Sequence, residues 1–449
     1  MVNSAKSVDS ALSQIQQIFT QAQTSDYVGE PISQAEHALQ AAALASNSGD
    51  NELVIAALLH DIGHMCFPDA EAMGDVGVLH HEHLGADYLF SLGFSKRVAI
   101  LVGQHVNAKR YLVATNPAYA KKLSDASRKT LGFQGGAMSS EEAEQFAHHP
   151  DSNNVLRLRA WDEAAKEVDK SVPSLTSYLP LLRSHLEQQQ LTDDQVVNFH
   201  KHGFLHLKDV FGDDQIARLK SAATYLGDLP ETQGKWMKYF ESSAAADRLL
   251  CRIENFVQYQ NELGSLIDGP RLLGWISQLL DEPACLFKEK INFKLPGAGG
   301  FQPHQDAPAF TTFNHDYHIT MMLSFDASTL ENGCLELVSG SWPNEYLPLK
   351  SDLTLSDDTV SGLDWQPLPT KPGDVVLFGS YLPHRSGENK SDLPRRALYA
   401  TYNRLSAGSV RDAYFAEKRR VFPPDVERVA GKEYKGTGVF NVGNPVSRE

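Results

Sequence analysis

Two sets of metal-ligand residues share one chain of 449 residues, each on a different structural background. His60-Asp61 ends the apolar run Glu52 to His60 (ELVIAALLH), in a first half with helical periodicity. His304-Gln305-Asp306, with His384 far downstream, lies among short β-rich runs punctuated by Gly, Pro and Asn. The first set suits a dinuclear metal. The second suits one ferrous iron with positions open for a cosubstrate and O2. A chain holding both reads most simply as a two-step enzyme.

Residues 8 to about 190 read as almost wholly helical. The pattern runs from Ile32 to Leu44, from Glu52 to His60, from His83 to Leu92, from Lys96 to His105 and from Ser139 to Ala147, with Ser139 and Glu142 in capping-box spacing. Val172-Pro173-Ser174 is expected to end the long helix around Trp161, and a helix from Tyr178 to Gln190 to close this half. The polar stretch Gln188 to Asp194 is the expected linker, giving domains over 1–190 and 196–449. Beyond it, helices are expected from Asp213 to Leu226 and from Pro270 to Asp281. Strands are expected from Lys290 to Leu295, His318 to Phe325, Gly333 to Val338, Asp374 to Phe378 and Arg396 to Arg404. That spacing predicts an antiparallel sandwich or jelly roll with flanking helices.

A net charge of -15 argues against nucleic acid or an anionic membrane as partner, so an anionic ligand needs locally placed Lys, Arg or metal. No apolar run approaches the ~20 residues of a membrane span, and the first residues lack the basic start and apolar core of a signal peptide. The four cysteines form no CxxC pair. They predict reduced thiols acting as small core fillers, and a cytoplasmic protein.

In the first half, His37 lies on one helix, His60-Asp61 ends another, His81 follows a short loop, His105 lies on a later helix and Asp162 on the last long one. Four imidazoles and two carboxylates hold two ions when Asp61 bridges them. His60 and His64, four residues apart, share a face. These residues resemble the HD-domain superfamily, an all-α helical bundle, and over about residues 25 to 190 its small branch of mixed-valent di-iron oxygenases that cleave phosphonates. Tyr27-Val28-Gly29-Glu30 ahead of Gln34-Ala35-Glu36-His37, and the His-Glu-x-x-Gly pattern on His81, Glu82 and Gly85, carry the likeness. The resemblance implies two irons, Fe(II) and Fe(III), on His37, His60, Asp61, His81, His105 and Asp162. It implies that Tyr27 and Glu30 cap the site until substrate binds. From its place on the His60 face, His64 is expected to support a ligand or bind phosphate. Lys109 lies one helical turn beyond His105, and Arg159 one turn before Asp162. Both match anion-binding positions, with Ser127 and Gln134 completing the pocket.

In the second half, residues i and i+2 of a strand face the same way, so a strand through His304 and Asp306 grips one ion. His384 is the third ligand. Two His and one carboxylate leave three adjacent iron positions for a bidentate 2-oxo acid and O2. Arg395, eleven residues after His384 and followed by Arg396, is the expected cation for the distal carboxylate of 2-oxoglutarate. Lys288, Lys290, Asn292 and Lys294 alternate along a predicted strand whose one face can enter the pocket, and Arg252 is a further candidate for an anion. This half resembles the phytanoyl-CoA dioxygenase family of Fe(II)/2-oxoglutarate oxygenases over about residues 196 to 410. Phe199-His200-Lys201-His202-Gly203-Phe204 marks its start and Glu331-Asn332-Gly333-Cys334-Leu335 falls mid-sheet. The likeness is nearest to members that hydroxylate 2-aminoethylphosphonate beside phosphorus.

Together the resemblances imply a small phosphonate substrate, hydroxylated at C1 by the second domain and cleaved by the first to glycine and phosphate. A trimethylated substrate would give glycine betaine by the same steps. The other alternative is an HD phosphohydrolase fused to a hydroxylase. Tyr27 and Glu30 speak against it, since a hydrolytic site keeps its metal-bound water accessible. Nothing in the sequence fixes an oligomeric state.

Overall fold

The chain, in a computed structural model that describes all residues except 1, 26, 28–30, 68–69, 75–76, 244–245, 314, 433, 435–436 and 447–449, divides into two units, Val2–Gln190 and Leu191–Glu449. The first runs through helices α1 (Val2–Ala22), α2 (Gln34–Ala45), α3 (Asn51–Leu59), α4 (Ile62–Cys66), α5 (His81–Leu92), α6 (Lys96–Thr115), α7 (Pro117–Lys122), α8 (Asp125–Phe133), α9 (Ser140–His148), α10 (Ser152–Ala164) and α11 (Leu175–Glu187). A helix apolar on all sides belongs inside. Every residue of α3 from Leu53 to Leu59 is buried, and α2, α6, α10 and α11 pack on it. Asp50 caps its start, and capping boxes open α2 (Ser33, Glu36) and α9 (Ser139, Glu142).

Two helix ends differ most from expectation. α6 continues past His105 to Thr115. α10 stops at Ala164, well before Val172, because the following residues turn onto α2. The Ala165 carbonyl accepts from His37, and Glu167 exchanges two backbone hydrogen bonds with the Gln40 amide.

The second unit opens with α12 (Asp193–His202), which Gly203 ends at φ 75°, and strand β1 (Phe204–Leu207). There follow α13 (Asp213–Asp228), β2 (Met237–Ser243), β3 (Ala246–Glu254), α14 (Asn261–Ile267), α15 (Pro270–Leu280), β4 (Ala284–Lys294), β5 (Phe301–His304), β6 (His318–Ser324), β7 (Leu335–Leu337), α16 (Asp357–Gly362), β8 (Gln366–Leu368), β9 (Val375–Gly379), β10 (His384–Ser386), β11 (Arg395–Arg404), α17 (Arg411–Val421) and α18 (Thr437–Phe440). A seven-stranded sheet has the order β1-β9-β6-β11-β4-β3-β2 and a four-stranded sheet β5-β10-β7-β8, with antiparallel neighbours. Met322, Val376, Phe378, Ala397 and Tyr399 of the large sheet pack against Leu335 and Leu337 of the small one. This is the expected jelly roll, and its inner faces carry the chemistry.

Three sequence expectations change here. Strand β5 ends at His304, so Asp306 sits in the turn beyond it rather than on the strand. Glu331–Leu335 forms the turn into β7 rather than mid-sheet. All four cysteines are free, but only Cys251 and Cys334 are buried; Cys66 and Cys285 are half-buried. Strands β1, β2, β3, β8 and β10 were not expected. Among the described residues, no helix is long and apolar enough to cross a membrane.

Helices α4 and α5 cross at backbone contact. A Cβ on Gly63 would lie 2.0 Å from the His81 carbonyl oxygen. Gly63→Ala must therefore push α5 away. We expect a loss of about 1–3 kcal/mol, read as a lower urea midpoint of the full chain's helical signal.

Candidate metal centres

The four histidines of the helical unit are fixed in the same way. Nδ1 of His37 donates to Ala165 O (2.8 Å), of His60 to Ala57 O (3.0 Å), of His81 to Val78 O (3.3 Å) and of His105 to Val102 O (2.7 Å). A carbonyl only accepts, so Nδ1 keeps the proton and Nε2 presents a lone pair. The Nε2 atoms then converge in pairs, His37 with His60 at 3.1 Å and His81 with His105 at 3.2 Å. Two lone pairs at that distance repel unless a cation lies between or beside them. Asp61 stands between the pairs. Its Oδ2 faces His37 (3.6 Å) and His60 (3.4 Å), and its Oδ1 faces His81 and His105 (both 3.6 Å). Asp162 Oδ1 lies 3.4 Å from His37 and 3.8 Å from His60. The donors therefore fit two cations bridged by one carboxylate.

The two carboxylates draw positive charge into the site, which a proton on His60 or a cation can supply. Burial opposes charge on His60, but Asp61 and Asp162 outweigh it and raise its pKa to about 9. Burial holds His105 down to about 4. Burial also opposes ionisation of Asp61, yet the surrounding imidazoles keep its carboxyl well below the usual range.

A cavity of about 140 Å³ opens onto these ligands, lined by Tyr27, His64, Lys109, Ser127, Gln134 and Arg159. The Tyr27 ring stacks on His37 at 4.0 Å, while Glu30 lies outside the described residues. His64 stacks on His81 at 3.8 Å, accepts from Val78 N, and lies close enough to Asp61 and His81 to share an ion. Buried Lys109 donates to Thr130, and burial lowers its pKa to about 8. Arg159 is engaged with Asp162, Glu163 and Tyr119. The Gln134 side-chain oxygen is buried without a partner, as a group awaiting a ligand would be.

In the sheet unit, β5 and β10 place His304 opposite His384. Their Nδ1 atoms donate to Gln302 O (2.7 Å) and Leu382 O (3.0 Å), again freeing Nε2. Asp306 Oδ1 lies 3.7 Å from His304 Nε2, so the triad is assembled although Asp306 is off the strand. Thr320 donates to Asp306 Oδ2. Arg395 and Arg396 separate cleanly. Arg396 points outward and is clamped by Asp326, whereas Arg395 is buried inward with Nε unpartnered. Lys294, paired with Arg395 across the sheet, donates to Ser386 and to the Gly387 carbonyl. Asn292 Oδ1 beside them also lacks a partner. The unpartnered Arg395 Nε–H fits a bound carboxylate, whereas the Asn292 oxygen calls for a donor.

Arg252 is not a free anion receptor. It pairs with Glu254 at 2.7 Å, and Glu254 also binds Lys418. Sequence reasoning missed the C-terminal segment altogether. Gly443 lies so close to the His304 ring that a Cβ would be 2.9 Å from Nδ1, and fully buried Asn441 has both amide atoms unpartnered. A lone asparagine between Phe440 and Val442 gives no periodic signal.

Comparison with known proteins matches both units. The HD domain family model covers residues 35–132 and the phytanoyl-CoA dioxygenase model residues 199–397. A 2-aminoethylphosphonate dioxygenase from uncultured bacterium HF130_AEPn_1 is 48% identical over 257 residues, 57% of this chain and 98% of that protein. A methylphosphonate hydroxylase from Gimesia maris is 35% identical, covering 55% and 93%. A [1-hydroxy-2-(trimethylamino)ethyl]phosphonate dioxygenase (glycine-betaine-forming) from Leisingera caerulea is 37% identical, covering 38% and 88%.

The Arg252–Glu254–Lys418 cluster yields a stability prediction. Burial opposes ionisation of Glu254, but Lys418 and Arg252 outweigh it and hold the carboxyl at about 2. A depressed carboxyl stabilises the fold above its unfolded value of about 4.3, and the contribution is lost as pH falls toward 2. Glu254→Gln leaves two buried cations uncompensated and should cost about 3–5 kcal/mol at pH 7. Urea midpoints should show the deficit at pH 7 and its narrowing on acidification.

Proposed function

We propose a two-step oxidation of a phosphonate for this chain, which belongs to the phytanoyl-CoA dioxygenase family through its sheet unit and carries an HD domain in its helical unit. The sheet unit hydroxylates C1 of 2-aminoethylphosphonate with 2-oxoglutarate and O2. The helical unit cleaves the C–P bond of the 1-hydroxy product, giving glycine and phosphate. The observation that carries this reading is the presence of His/Asp clusters able to hold metal in both units of one chain, beside relatives whose names describe these two kinds of step. When bound, iron with 2-oxoglutarate supplies the hydroxylating oxidant in the sheet unit, and two irons, Fe(II) and Fe(III), the cleaving one in the helical unit.

The chain's own residues do the positioning. His304, Asp306 and His384 hold one iron; His37, His60, Asp61, His81, His105 and Asp162 hold two. Arg395, a buried planar fork with a free Nε, takes the distal carboxylate of 2-oxoglutarate. Lys109, Arg159, Ser127 and Gln134 hold the phosphonate in the helical cavity, with His64 beside the metal pair. Charge-assisted contacts there orient the scissile bond and exclude water. A trimethylated substrate is the second reading, favoured by the name of the Leisingera relative. Glycine betaine rather than glycine as product would establish it.

The deciding experiment is anaerobic reconstitution with Fe(II), followed by admission of O2 and assay of phosphate release with and without 2-oxoglutarate. His304→Ala should abolish 2-oxoglutarate turnover yet leave phosphate release from supplied 1-hydroxy-2-aminoethylphosphonate largely intact. Loss of both activities in a folded variant would refute independent sites.

Tyr27 and Glu30 are proposed to close the helical site until substrate enters. Tyr27→Phe should remove any tyrosinate-to-iron absorption from the resting ferric protein and speed its oxidation in the absence of substrate. Stopped-flow absorbance reads both. Identical behaviour of wild type and variant would make Tyr27 a packing residue.

A further inference from the structure

The inner face of β4 carries more lysines than one 2-oxoglutarate accounts for. Along β4, Lys288, Lys290, Asn292 and Lys294 share the inner face, because Lys290 and Asn292 register with Tyr399 and Ala397, which pack against the small sheet. At one end of this row, Lys294 stands beside Arg395, the cosubstrate end. On β3, Arg252 is answered by Glu254. Lys288 and Lys290 remain.

Among the described residues, neither lysine makes an ion pair within 4.0 Å. Aromatic faces hold them instead. Lys288 Nζ lies 4.5 Å from the Phe310 ring and 5.6 Å from Tyr414; Lys290 Nζ lies 5.1 Å from Tyr399 and 5.9 Å from Phe301. Phe301 is on the strand that carries His304, and Phe310 follows Asp306 in the next turn. The rings thus hold both ammonium groups near the liganding segment. Burial lowers both, Lys288 to about 8, and Asp306 is the foremost charge opposing that fall in each. Rings steer a cation but do not neutralise it. Two half-buried ammonium groups with no carboxylate at ion-pair distance favour an anion joining them.

We propose that Lys288 and Lys290 form the phosphonate subsite of the sheet unit, closing on one tetrahedral oxyanion beside Asp306. The proposal rests on the function given above. Same-face neighbours on a strand stand about 6.6 Å apart. Flexible stems with three donors each let both lysines reach different oxygens of one phosphonate. The division of labour follows from shape: a planar arginine fork for the carboxylate of the cosubstrate, and two mobile point charges for the tetrahedral group of the substrate.

The test uses the full chain with Lys288→Met, Lys290→Met and Arg395→Ala. Succinate formation gives the KM for 2-aminoethylphosphonate and for 2-oxoglutarate. Anaerobic calorimetry gives methylphosphonate binding directly, in a Lys109→Met background that silences the helical cavity. Each lysine variant should raise the KM for the phosphonate and weaken methylphosphonate binding by about ten- to hundredfold, with 2-oxoglutarate unchanged. Arg395→Ala should do the reverse, and Lys288→Arg should restore part of the loss. Unchanged phosphonate affinity in folded lysine variants, or a loss confined to 2-oxoglutarate, overturns the subsite. Wild type that neither turns over 2-aminoethylphosphonate nor binds methylphosphonate overturns the function beneath it.

Discussion

An imidazole can offer a lone pair to a cation only when its other nitrogen keeps the proton, and six histidines of this chain meet that condition identically. Each gives its Nδ1 proton to a backbone carbonyl and turns Nε2 toward a carboxylate-bearing centre. In five the carbonyl is two or three residues upstream, so the local turn or strand sets the tautomer. In His37 it belongs to Ala165, across the unit. The rest of the helical unit's geometry depends on that exception. It requires α10 to stop at Ala164, and the same halt leaves Asp162 and Arg159 on the last turns, with Asp162 beside His37. A long helix to Val172 would carry the acceptor away from α2.

How much of this the sequence showed follows from how local each determinant is. The apolar run ending in His60 reads as a buried helix because no face of it is polar. The Ser139–Glu142 box reads as a helix start because its bonding is complete within four residues. The place where α10 stops did not read, because a hydrogen bond 128 residues distant in sequence sets it. The strand pattern found β4, β6, β9 and β11, whose residues are mostly buried. It missed the β2–β3 hairpin, where buried Lys238, Glu241, Arg252 and Glu254 disguise an interior strand pair as a polar stretch. The spacing from His384 favoured Arg395 over its neighbour Arg396. The pleat separates them, one to the cavity and one to Asp326.

Both units meet the same demand with different periods. A metal that binds or oxidises a phosphonate needs cations at a fixed distance from its ligands, yet not among them. On a helix the same-face interval is three or four residues, and Lys109 follows His105 by four while Arg159 precedes Asp162 by three. On a strand the interval is two, and the lysines of β4 recur at that interval opposite β11. The helical arrangement ties its cation to a proposed ligand: Arg159 bonds Asp162 itself, so on the proposed function anion binding and metal binding would share one network. The sheet arrangement separates them, since β4 carries cations and no ligand, while β5, β10 and the turn after β5 carry ligands. A substitution at Arg159 therefore perturbs the metal site with the anion site, whereas one at Lys288 or Lys290 changes the anion site and leaves the ligand triad in place.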